Sequence, residues 1–148
     1  LISETTLRSS QYKLKLNKMG YRSKVIIGVK NGELSDEFDN ILRKHEFPVD
    51  KPVDEHLKIV EDTTKFYTFN YIKWYESDDW CKEIMEWLTK IDESDWKSKG
   101  EDESVRWANV EYEYNVFCIG LGEDGRTHSE IGDCWDYVEQ ISEINLID

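Results

Sequence analysis

Proline and cysteine are scarce in this chain: two Pro and three Cys occur in 148 residues, beside eight Gly. So little proline and glycine excludes collagen-like and low-complexity classes. Cys81, Cys118 and Cys134 are odd in number, widely spaced and form no CxxC pair, so neither a disulfide framework nor a thiolate zinc module is expected. A reduced, cytoplasmic setting fits that usage. No stretch approaches the roughly 18 to 20 apolar residues of a membrane-spanning helix. Positive charge is also short: 19 Lys and Arg face 32 Asp and Glu, a net charge of −13. Such a surface repels DNA, RNA and anionic membranes and attracts basic proteins.

Aromatic residues are abundant, with six Trp, eight Tyr and five Phe. A disordered acidic chain lacks that load, so a folded domain is expected, and the length suits one. Residues 1–18 differ from the rest. Arg8, Lys13, Lys15 and Lys18 stand there against Glu4 alone, and Met19 reads like a natural start. This segment is expected to be an upstream extension or flexible arm, with 19–148 as the single domain.

Along 19–148 the pattern alternates strands and helices. Lys24–Lys30 is a short apolar run closed by Asn31-Gly32, a strand and turn. Ser35 sits where an N-cap belongs, and Leu34, Phe38, Ile41, Leu42 and His45 recur at helical spacing, which predicts a helix over 35–46. A hairpin follows, with arms 57–61 and 65–75. In the longer arm, Phe66, Ile72 and Trp74 share one parity and Tyr67, Phe69, Tyr71 and Tyr75 the other. That predicts a central strand packed on both faces, or one with an aromatic face open for a ligand. Ser77 caps a second helix striped by Trp80, Cys81, Ile84, Trp87, Leu88 and Ile91, and 92–104 reads as an acidic loop. Val110, Tyr112, Tyr114 and Val116 alternate as a strand with one wet face, and the alternation breaks at 117–119. The tail, 134–147, reads as a further strand. The expected fold is α+β: a mainly antiparallel sheet with two helices on one face, a ferredoxin-like βαββαβ unit plus an extra C-terminal strand.

Gly120-Leu-Gly-Glu-Asp-Gly125 is a literal GxGxxG. A dinucleotide fingerprint needs a helix opening within the motif, and the following RTHSEIGD has no helical stripe. Glu123 and Asp124 would also set negative charge beside a phosphate. The segment is expected to be a hairpin turn through Asp124-Gly125. His128, Glu130, Asp133 and Cys134 form the densest set of possible metal ligands, but His-x5-Cys is no usual zinc spacing, and His45 and His56 are distant. No metal, no cofactor and no catalytic residue is assigned. Trp96 stands among Asp92, Glu93, Asp95, Glu101, Asp102 and Glu103, an arrangement suited to anchoring a protein partner.

The stretch MGYRSKV at 19–25 resembles the opening of a group of small uncharacterised bacterial and phage proteins that begin MGYRS. Further matches are Tyr71-Ile-Lys-Trp-Tyr-Glu76 before a helix carrying Ile84-Met85 and Leu88, and Ile119-Gly-Leu-Gly-Glu-Asp124 after a strand. The resemblance implies a phage or mobile-element setting and carries no activity with it.

The leading expectation is a non-catalytic acidic interaction protein, of phage-derived or immunity-inhibitor type. It would meet a basic, nucleic-acid-handling partner through Trp96, Asp92, Asp95, Glu101, Asp102 and Glu103. The alternative is a ligand-binding or enzymatic domain using Tyr67, Phe69, Tyr71 and Trp74 as a pocket.

Overall fold

The computed structural model describes residues 20–50, 57–98, 115–134, 137–140 and 144–146. The expected arm at 1–18, the wet-faced strand at 105–114, and Glu101, Asp102 and Glu103 lie outside these residues.

Elements follow in the order β1 (Ser23–Lys30), α1 (Glu33–Lys44), β2 (Leu57–Val60), β3 (Thr64–Ile72), α2 (Asp79–Ser98), β4 (Val116–Gly122) and β5 (Thr127–Ile131). Two short strands, β6 (Val138–Gln140) and β7 (Ile144–Leu146), close the chain. The main sheet has the order β2-β3-β1-β4-β5, and every pairing is antiparallel. Its first four strands have the ferredoxin-like arrangement, so the α+β expectation holds. The fifth strand is Thr127–Ile131, directly after the glycine-rich turn. The tail instead forms a separate two-stranded ladder.

Apolar parity explains the layering. Val25, Ile27 and Val29 of β1 and Val116 and Cys118 of β4 face Phe38 and Leu42 of α1 and Ile84 and Leu88 of α2. Ile26, Phe117, Ile119 and Leu121 face the other way, under Val138 and Ile144 of the tail. β1 and β4 therefore bury side chains on both faces, which is why β4 reads as a continuous apolar run. Phe38 bridges the helix side, 4.7 Å from the Tyr67 ring and 5.3 Å from that of Trp87. On the tail side Tyr137 stacks on Phe117 at 4.9 Å and 4°.

Helix α1 begins two residues earlier than Ser35. Ser35 occupies the third helical position, where its hydroxyl accepts the Gly32 N–H at 2.9 Å. It thus supports the helix start from within the first turn instead of capping it. Helix α2 runs on to Ser98 through the segment expected to be an acidic loop.

The mixed parity of 65–75 has a local cause. Between Val25 and Ser23 the partner on β3 moves from Phe69 to Ile72, so three residues of β3 oppose two of β1. Tyr71 lies in this bulge with φ +55°. The extra residue switches faces: Tyr67 and Phe69 point to the helices before it, and Ile72 and Trp74 pack on the same core after it.

Candidate functional site

At the end of the sheet where β1 begins and β4 turns into β5, polar side chains converge over two glycines. Val116 and Cys118 face the helices, so the pleat puts Gly120 and Gly122 on that side as well. A Cβ on Gly120 would come within 2.3 Å of the His128 imidazole, and one on Gly122 within 1.5 Å of the Tyr21 hydroxyl. The repeated glycine therefore makes room for two rings. Gly125, at φ +78°, completes the turn and donates its N–H to the Gly122 carbonyl at 3.0 Å. The motif is a hairpin turn, as its flanks indicated.

Above this floor, Ser23 Oγ and His128 Nε2 are 2.9 Å apart, and His128 Nδ1 lies 2.9 Å from Ser129 Oγ. Neutral imidazole has one N–H and one lone pair, so one serine donates to the ring and the other accepts from it. Ser129 has φ +56°, at a second bulge where β5 gains a residue against β4. Burial lowers the His128 pKa below 6.5, against the opposing pull of Glu76 and Asp124. Tyr21 donates to Asp124 Oδ1. Burial first, then that carboxylate, pushes the phenol up to about 12, while the Asp124 carboxyl falls below its usual range.

A serine beside a histidine is the core of a nucleophilic pair. Here Ser23 is only 2% exposed, and the outer ring nitrogen meets a hydroxyl where such a pair has a carboxylate. The arrangement is a packed polar plug that ties Ser23 of β1 to His128 of β5 across β4.

The other residues weighed as possible metal ligands are not gathered around it. His128 stands on the helix side of the sheet, whereas Cys134 is buried in the tail-side cluster. His45 pairs with Glu83 at 3.4 Å, and His56 lies outside the described residues. Among the described residues, no group of three or more His, Cys, Asp or Glu is placed to hold a metal. All three cysteines are buried and outside any disulfide; burial pushes the Cys81 thiol up to about 12 and raises Cys118 as well.

Of the expected partner-binding residues, Asp92, Asp95 and Trp96 share the C-terminal part of α2, and Glu101, Asp102 and Glu103 lie outside the described residues. Asp95 is 8% exposed and accepts from Asn115 Nδ2 at 2.5 Å and from the Asn115 N–H at 3.2 Å. It ties α2 to the start of β4 and offers nothing to a partner. Asp92 is half-buried on the same helix. Trp96 lies in the last turn of α2.

Of the two alternatives for the aromatic strand, packed on both faces or open on one, the face of Tyr67 and Phe69 is packed. Tyr67, Phe69 and Trp74 are core residues between sheet and helices, and only Tyr71, 63% exposed, stands outside. The Arg22 guanidinium lies 5.5 Å from the Tyr71 ring centre and donates to the Tyr71 carbonyl at 3.3 Å.

Sequence reasoning missed a buried ionic network. Lys65 Nζ donates to Asp39 Oδ2 at 2.7 Å, and Tyr67 OH donates to Asp39 Oδ1 at 2.5 Å. Burial opposes the charge on Lys65, but Asp39 and Glu61 outweigh it, so its pKa is raised; burial and Asp39 raise that of Tyr67. The available signal was spacing: Ser35, Phe38, Asp39 and Leu42 form one buried stripe of α1.

Two hollows remain. One, of about 510 Å³, lies along α2 and is lined by Met85, Thr89, Glu76, Glu86 and Glu93 with Lys82 and Lys90. The other lies across the sheet, on the side away from the helices. Among the described residues no helix is long and apolar enough to cross a membrane. No family model, curated protein or solved structure matches the chain.

Proposed function

We propose that the protein is a non-catalytic interaction protein that presents an acidic helical surface to a basic protein partner. The observation that carries this reading is the outward side of α2. Its hollow sets Glu76, Glu86 and Glu93 against Lys82 and Lys90. In sequence the helix leads through Trp96 directly to Glu101-Asp102-Glu103. On α1, two nearby cations are already engaged: Arg43 with Asp50 at 2.8 Å and Lys44 with Glu83 at 2.5 Å. The outward charge that remains belongs to a chain of net −13. Complementary charge of this kind speeds encounter and selects against acidic partners.

A phage-derived or immunity-type inhibitor of a nucleic-acid-handling enzyme is the setting in which such a surface acts, because that target is itself basic. Three buried cysteines outside any disulfide suit a reducing cytoplasm. The test is capture from bacterial lysate at low and high salt, using the wild type and an E86Q/E93Q variant. The reading predicts a basic protein retained at low salt by the wild type and much less by the variant. Equal retention by both contradicts it.

A further inference from the structure

The tail covers only part of the sheet face that turns away from the helices. Beside it, a cavity of about 540 Å³ opens over β1, β2 and β3. Its floor follows from register: Lys58 pairs with Thr68 and Thr68 with Ile26, so the three form one row across the sheet. Lys24 lies two residues along β1 on the same face, and Asn70 lies on the neighbouring strand beside the bulge that displaces Tyr71. Glu139 and Leu146 of the tail complete the lining.

Strand spacing of about 4.8 Å and a rise of about 3.4 Å per residue put the Lys24 and Lys58 backbones roughly 12 Å apart. Two lysine side chains at that separation bracket a single small molecule. The volume lies within the range of small-molecule sites, and the lining is mainly polar, with Ile26 and Leu146 its two apolar residues of seven. Within a chain this acidic, a lining with two lysines and one glutamate stands out in charge.

We propose that this cavity binds an amphipathic organic anion. An apolar body would rest on the half-buried Leu146 at the edge of the tail, with Ile26 buried beneath it, and a carboxylate, sulfonate or phosphate would meet Lys24 and Lys58, oriented by Thr68 and Asn70. Glu139 opposes the anion and sets an upper limit on its charge.

The test uses two dyes that differ only in charge, anilinonaphthalenesulfonate and its uncharged parent phenylnaphthylamine, titrated into the full chain and followed by fluorescence. The wild type should bind the anionic dye saturably, one per chain. K58Q, on the exposed edge strand, should weaken it several-fold, and K24Q/K58Q by about tenfold, which is about 1.4 kcal/mol. E139Q should tighten it. The uncharged dye should respond to none of these changes, and K82Q/K90Q on the helix side should alter neither dye. If K24Q disturbs folding, as read by circular dichroism, K58Q and E139Q decide the question. Absence of saturable binding, or an anionic-dye affinity unchanged in K58Q and E139Q, overturns the proposal.

Discussion

Gly120 and Gly122 hold their places because rings from two other segments lie against them. Gly122→Ala should cost about 1 to 3 kcal/mol, since its Cβ meets the Tyr21 hydroxyl and phenol carbon. In a Tyr21→Ala background the same change should cost much less, and urea denaturation of the four proteins of this cycle measures the difference. His128 supplies a pH dependence. Its folded-state pKa is depressed, so below pH 6.5 the unfolded chain takes up the proton more readily than the folded one. Stability from this group is complete above 6.5 and is lost as pH falls toward the folded value. His128→Gln should therefore flatten the Tm profile between about pH 6.5 and 5, above the range where most carboxylates titrate. An unchanged slope would show that the ring titrates as freely as in the unfolded chain. The glycine spacing was visible in the sequence, but its cause was not, because Tyr21 and His128 are brought there only by strand order.

Both helices carry a carboxylate on the face that packs inward. In α1, Asp39 follows Ser35 and Phe38 on the buried stripe, and in α2, Asp95 continues the line of Leu88, Ile91 and Asp92 at helical spacing. A charged residue at an inner position reads as the end of a stripe, which is why 92–98 looked like a loop. Each is satisfied by a partner from the sheet side: Lys65 and Tyr67 of β3 for Asp39, and Asn115, just before β4, for Asp95. Asp39→Ala leaves the buried Lys65 ammonium without its closest carboxylate and should cost about 3 to 5 kcal/mol. Pairing it with Lys65→Met should recover much of that loss. Asp95→Ala removes a charged acceptor from Asn115 and should cost about 1.5 to 3 kcal/mol by chemical denaturation. The strand-helix order and the hairpin at 57–72 were legible because apolar period and turn residues agree there. The bulge at Tyr71 was not, since one inserted residue leaves no compositional trace and only inverts the parity that follows.

At the scale of the molecule, the two faces differ in kind. The hollow along α2 sets three glutamates against two lysines, and the hollow on the opposite face two lysines against one glutamate. The sequence disclosed the excess of negative charge but not its placement. Asp95, which composition puts with the surface acids, is consumed inside the fold. Long-range attraction to a basic partner must weaken as salt shortens the screening length to about 8 Å near physiological ionic strength. A buried aromatic anchor acts instead on dissociation. Surface-plasmon kinetics with the captured basic protein, run across salt concentrations on the wild type, E86Q/E93Q and W96A, separates the two contributions. The account predicts association slowed several-fold at low salt in E86Q/E93Q, converging with the wild type at high salt, and faster dissociation in W96A. Identical association rates for E86Q/E93Q and the wild type at low salt would contradict the claim that the α2 surface steers the partner.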